Sequence, residues 1–195
     1  MTKSRPAVFL DRDGTINVEK EYLYRIEDWE WIPGAIEAIR RINEMNYLVI
    51  VVTNQAGIAR GYYDEAAVHK LHSQIDELLT VEGARIDAYY FCPHHPQFGK
   101  NIIDCQCRKP APGMLLAAQR DHDIDLSRSW MIGDKLLDII AAQKAGVSPI
   151  MVMTGYGREE QSKLSQDIPC KSDLLGAIKI IEENNQIYAT SGAVR

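Results

Sequence analysis

Five short apolar runs, Ala7–Leu10, Tyr47–Val52, Ile86–Phe91, Trp130–Ile132 and Ile150–Met153, alternate with segments of helical period, and this alternation constrains the chain more than any other feature. Runs this short and this rich in Val, Ile and aromatic residues read as strands buried on both faces. Strands that recur with helices between them make βα units and a mainly parallel sheet. Ile36, Ile39, Ile42 and Met45 recur at helical spacing after Pro33, a favourable first-turn residue. Asp64 stands where a cap belongs, ahead of Val68, Leu71, Ile75 and Leu78 on one face. Further helices are expected over Pro112–Asp121, Lys135–Ala145 and Asp173–Glu183. The fold class that follows is α/β: a Rossmann-like parallel sheet with helices on both faces, forming one domain over residues 1–195.

The same runs exclude other classes. None approaches the roughly 20 apolar residues of a membrane span or the core of a signal peptide, so a cytoplasmic protein with no membrane partner is expected. Lys and Arg number 22 against 27 Asp and Glu, a net charge of −5, and they are scattered. No basic footprint for a phosphate backbone exists, and nucleic acid is not expected as a partner. Cys92–Pro110 breaks the pattern: nineteen residues with little periodicity, long for an unsupported connection in a compact domain.

In an open parallel sheet ligands bind beyond the carboxyl ends of the strands, so chemistry belongs just after each apolar run. After the first comes Asp11-Arg12-Asp13-Gly14-Thr15. Two carboxylates two residues apart share one side of an extended chain, and they repel unless a cation intervenes; Mg²⁺, with its preference for oxygen ligands, fits. The second run ends in Thr53-Asn54-Gln55, a hydroxyl and two amides. After the fourth comes Gly133-Asp134-Lys135, with Asp138 one helical turn on. The first and fourth strand ends can together build an acidic Mg²⁺ pocket. Arg108-Lys109-Pro110 adds cations suited to a phosphate dianion.

Cys92-Pro93-His94-His95 and Cys105-Gln106-Cys107 supply three thiolates and an imidazole, a complete tetrahedral set for a structural Zn²⁺. Spacing alone does not separate His94 from His95. A disulfide scaffold needs more cysteines, and Cys170 stands apart.

In order, Asp11-Arg12-Asp13-Gly14-Thr15, Thr53, Lys109 and Gly133-Asp134 with Asp138 resemble the four motifs of the haloacid dehalogenase superfamily of aspartate-nucleophile phosphatases. The finer pattern, Thr53-Asn54-Gln55-Ala56-Gly57-Ile58-Ala59-Arg60-Gly61, Cys92-x-His94, Cys105-x-Cys107 and Arg108-Lys109-Pro110, is similar to the family of heptose 1,7-bisphosphate 7-phosphatases, a capless branch of bacterial heptose synthesis that serves lipopolysaccharide. The resemblance implies Asp11 as nucleophile, Asp13 as acid and base, and Thr53 and Lys109 as groups that steady the phosphoryl. It implies Mg²⁺ on Asp11, Asp13 and Asp134, with the Asp13 ligand its backbone carbonyl. It implies Zn²⁺ on Cys92, His94, Cys105 and Cys107, holding the loop 92–110. Substrate contacts are implied for Asp11, Arg12, Asp13, Glu19, Lys20, Glu21, Tyr22, Thr53, Asn54, Gln55, Ala56, Arg108, Lys109 and Lys135. The expectation is a monomer acting on a small phosphorylated sugar. Histidinol-phosphate phosphatase shares the fold, the paired aspartates and the zinc loop and is the rival reading. A phosphorylated receiver domain and a zinc-stabilised binding module without catalysis stand further off.

Overall fold

The structure, a computed structural model, describes residues 4–99 and 105–191. Residues 100–104 of the expected zinc loop, and the ends of the 1–195 domain, lie outside the described residues. Six strands, β1 (Ala7–Leu10), β2 (Leu48–Asn54), β3 (Ala88–Cys92), β4 (Trp130–Gly133), β5 (Ser148–Val152) and β6 (Cys170–Lys171), form one sheet in the order β3-β2-β1-β4-β5-β6. Every pairing is parallel. The helices are α1 (Ala35–Glu44), α2 (Ala56–Ala59), α3 (Glu65–Val81), α4 (Gly113–His122), α5 (Leu136–Ala145), α6 (Gly157–Glu160) and α7 (Leu174–Ser191).

Side chains alternate across a strand, and β1 divides its four buried residues accordingly. Val8 and Leu10 join Ile39 and Ile42 of α1, Leu71 and Ile75 of α3 and Ile178 and Ile181 of α7 in one core. Ala7 and Phe9 join Leu115 and Ala118 of α4 and Ala141 and Ala142 of α5 in the other. Helices therefore cover both faces, and the central strands β1, β2 and β4 are chiefly apolar because neither of their faces meets water. Asp64 caps α3 as expected, its side chain accepting the Ala67 N–H at 2.8 Å. Among the described residues no helix is long and apolar enough to cross a membrane.

The strand order reverses direction at β1, the switch point where such sheets place their ligands. In the register Leu10 lies level with Val51 on β2 and with Ile132 on β4. Asp11, Thr53 and Asp134 therefore leave the sheet at one edge, side by side. The differences from expectation are local. β6 has two residues and shows no periodicity in sequence. β3 begins at Ala88 rather than Ile86 and runs on to Cys92. α7 continues beyond Glu183, because Asn184 does not stop it: its Nδ2 donates to the Ile180 carbonyl within the helix at 2.9 Å.

Candidate active site

Gly14 makes the sharp exit from β1 possible. Its φ of +85° lies where side chains are disfavoured, and a Cβ there would stand 2.3 Å from Asp134 Oδ2. The turn it permits brings the first and fourth strand ends into contact. Asp11 Oδ1 accepts the Arg12 N–H at 2.7 Å and lies 2.9 Å from Lys109 Nζ. That ammonium is fully buried and also meets Asp138 Oδ1 and the Val52 carbonyl, each at 2.7 Å. It makes one hydrogen bond, to the Val52 carbonyl, and ion pairs with both carboxylates. Burial works against its charge, but Asp11 and Asp138 outweigh burial and raise it above the ordinary lysine value.

Asp13 is held from several sides. Arg12 Nη2 reaches its carboxylate at 3.0 Å, Asn17 Nδ2 donates at 3.0 Å and Gln55 Nε2 at 3.2 Å. Burial pushes this acid up, yet the Arg12 charge and the bonds from Asn17 and Arg12 prevail and hold it below the usual aspartate value. Gln55 Nε2 also donates to Thr53 Oγ1 at 2.9 Å, so the single Thr53 O–H proton is directed elsewhere. The Gln55 amide is itself oriented by Tyr63, whose hydroxyl donates to Oε1 at 2.7 Å.

Asp11, Asp134 and Asp138 present carboxylate oxygens within 4.8 Å of one another. One Asp134 oxygen, Oδ2, accepts the Tyr156 N–H at 2.8 Å, while Oδ1 is buried with no partner. Burial first, then the charge of Asp11, push Asp134 up to about 8. An unpartnered buried oxygen facing crowded carboxylates is a site for a hard cation, and an all-oxygen donor set suits Mg²⁺. Asp138 is committed differently: Oδ1 to Lys109 and Oδ2 to the Lys135 N–H at 3.0 Å. It braces the cationic groups.

The second cluster is held by the end of β3. Sγ atoms of Cys92, Cys105 and Cys107 stand 3.2–3.4 Å apart without bonding, and His94 Nδ1 is 3.4 Å from Cys107 Sγ and 3.7 Å from Cys92 Sγ. A tetrahedron with zinc–sulfur distances of about 2.3 Å has edges of about 3.8 Å, so the donor set fits zinc with slight opening. Of the two histidines, His94 stands with the three thiols. His95 turns away, its Nδ1 accepting the Gln97 N–H at 3.1 Å and its ring packing on Phe98.

Before the two sites lies a cavity of about 360 Å³. Asp11, Asp13, Thr53, Asn54, Gln55, Ala56, Glu19, Glu21, Tyr22, Arg108 and Lys135 all line it. Three residues that the resemblance implies for substrate are outside its lining. Lys109 stands behind Asp11. The guanidinium of Arg12 is buried, donating to the Leu23 carbonyl at 2.8 Å and meeting His72 Nε2 at 3.4 Å, and it holds Asp13 rather than facing the cavity. Lys20 pairs with Glu30 at 2.9 Å.

Tyr63, Leu137 and Tyr156 also line the cavity, though no motif marks them. Tyr156 follows β5, and the rule that ligands gather at strand ends would have pointed to it. Its ring lies 4.7 Å from the Lys135 ammonium, which Glu19 Oε2 holds at 2.9 Å.

Comparison with known proteins gives a concordant result. A family profile described as haloacid dehalogenase-like hydrolase matches residues 8–103, and a second, described as HAD-hydrolase-like, matches residues 106–175. The D-glycero-beta-D-manno-heptose-1,7-bisphosphate 7-phosphatase of Photorhabdus laumondii is 44% identical over 94% of this chain and 100% of its own. The protein of that name from Escherichia coli K12 is 44% identical over 92% of this chain and 96% of its own. Among solved structures, the D,D-heptose 1,7-bisphosphate phosphatase of B. bronchiseptica, complexed with magnesium and phosphate, superposes with a TM-score of 0.81 at 34% identity, covering 93% of this chain and 98% of that one.

Proposed function

The chain belongs to the haloacid dehalogenase-like hydrolases and, within them, to the D-glycero-D-manno-heptose 1,7-bisphosphate 7-phosphatase family, and from that membership we propose that it removes the 7-phosphate of a D-glycero-D-manno-heptose 1,7-bisphosphate. The observation that carries the reading is the floor of the cavity. A carboxylate, Asp11, faces it with a buried ammonium at its back, and a second carboxylate, Asp13, stands two residues on. A phosphoryl group placed there meets a nucleophile and a proton carrier together.

In the first step Asp11 attacks phosphorus in line, a bond forms from its carboxylate oxygen, and the bond from phosphorus to the sugar oxygen breaks. In the free site Asp13 is ionised; a phosphate dianion beside it favours the protonated form, and Asp13 gives that proton to the leaving alkoxide. In the second step Asp13 takes a proton from water, the water oxygen bonds to phosphorus, and Asp11 departs as a carboxylate. Thr53, with its oxygen already accepting from Gln55, donates to a phosphoryl oxygen. Lys109 fixes Asp11 and opposes charge on the phosphoryl group. Magnesium, held by Asp11, the Asp13 carbonyl and Asp134, would neutralise phosphoryl charge that these residues leave uncompensated. Zinc on Cys92, His94, Cys105 and Cys107 would anchor the loop that delivers Arg108 and Lys109.

Phosphate release from heptose 1,7-bisphosphate and from histidinol phosphate, measured side by side with Mg²⁺, tests the reading. Selective turnover of the bisphosphate is expected. Equal or better kcat/KM on histidinol phosphate would overturn the substrate and leave the aspartyl-phosphate chemistry standing.

A further inference from the structure

Arg60 bridges the loop that carries Tyr22 and the zinc loop. Its guanidinium lies 3.8 Å from the Phe98 ring centroid and 5.6 Å from that of Tyr22. Tyr22 lines the cavity, and Tyr62 packs edge-on against it at 4.8 Å. Glu21 and Tyr22 both have φ of 45°, a left-handed pair that non-glycine residues adopt only when their surroundings hold them there. On the other side, Gly99 comes so close to α2 that a Cβ on it would lie 3.3 Å from the Ala59 carbonyl. Three loops thus converge on one guanidinium.

Four surface arginines, Arg25, Arg40, Arg41 and Arg85, pair with carboxylates. Among the described residues Arg60 has no ion pair, and its Nε is buried without a hydrogen-bond partner. Aromatic faces hold a cation in place without consuming its N–H donors. Arg108 stands on the same side of the mouth: its Nη1 donates to the His94 carbonyl at 3.1 Å, His95 packs on Phe98, and Phe98 lies under Arg60. Arg108 lines the cavity itself, and Arg60 adjoins its mouth through Tyr22.

We propose that Arg60 is a specificity-determining residue that holds Tyr22 at the cavity mouth and directs its free N–H donors to the phosphate of the substrate remote from the scissile one. The inference rests on the bisphosphatase reading and adds a residue to it. A fork of donors fixed by stacking is suited to a phosphate dianion, and it recognises one more firmly than a flexible ammonium does.

The test compares kcat/KM for heptose 1,7-bisphosphate with that for heptose 7-phosphate, which lacks the remote phosphate, in wild type, Arg60→Met and Arg60→Lys. In Arg60→Met the preference for the bisphosphate should shrink by about tenfold or more, through KM, with kcat on the bisphosphate changed by less than about threefold. Arg60→Lys, which keeps the charge but loses the planar fork, should recover part of the preference. An unaltered preference in Arg60→Met overturns the inference alone. Arg60→Gln serves in the same comparison if Arg60→Met does not fold. A wild type that releases no phosphate from the bisphosphate overturns both the inference and the reading beneath it.

Discussion

Replacing Lys109 by Met removes one positive charge from the most crowded acidic part of the molecule while keeping an apolar stem of similar length. Asp138 is fully buried; burial pushes it up to about 6, and the Lys109 charge and hydrogen bond are what chiefly restrain it. Freed of that restraint, a fully buried carboxyl rises to about 8 or beyond. Its pKa in the folded state then exceeds the unfolded value by a wider margin than in wild type. Such a group binds its proton more tightly when folded, so the stability it contributes is complete below the unfolded pKa and drains as pH rises to the folded one. Wild type stops losing on this account near pH 6, whereas the variant continues. Between pH 6 and pH 8 the extra loss is on the order of 3 kcal/mol, at about 1.4 kcal/mol per pH unit. For a chain of this size that is a Tm gap widening by about 5–10 °C. The lost hydrogen bonds add a deficit that does not vary with pH. Thermal unfolding followed by circular dichroism in chelator, at half-unit steps from pH 5.5 to 8, measures it. A gap that stays constant across that range would refute the charge argument and assign the loss to packing.

Three further outcomes follow from the site. Asp11→Asn should abolish phosphate release with the fold intact, since an amide has the carboxylate's size but not its nucleophilicity; phosphate trapped on any residue other than Asp11 would count against the assignment. Asp13→Asn should fall by about 10²–10⁴-fold in kcat, since proton transfer is lost in both steps, and steady-state turnover near wild type would remove Asp13 from that role. Protein purified without chelator should carry one zinc per chain by metal analysis. Cys107→Ser should lose it together with much of its activity, because Arg108 follows the ligand directly; retention of zinc in that variant would contradict the ligand set.

The fold was legible because its strands are buried on both faces and so stand out as apolar runs, and the site was legible because the strand ends carry it. Asp11, Thr53 and Asp134 each follow an apolar run, and the register Leu10 to Val51 and Ile132 turns three separate sequence positions into one edge. Arg12 shows where motif reading overreaches. It sits between two functional aspartates, yet the alternation that sets Asp11 and Asp13 on one side sends Arg12 to the other, where it meets Leu23 and His72. The same rule that found the pair should have excluded the residue between them from the cavity. Tyr63 and Tyr156 were hidden for a different reason: each acts through a partner, Gln55 or Asp134, that only the folded chain supplies.

Charge balance was the least legible property of all, because it depends on distances between segments. In sequence Lys109 reads with Arg108 as a cation for a phosphate; folded, it is buried among Asp11, Asp138 and the Val52 carbonyl, and of the two Arg108 alone lines the cavity. Adjacent basic residues thus divide the work. One is spent holding the nucleophile, which leaves the other, with Arg60, to meet whatever negative charge the substrate carries beyond its scissile phosphate. A monophosphate would leave this pair of guanidiniums without an anion. The arrangement is therefore matched to a substrate bearing two.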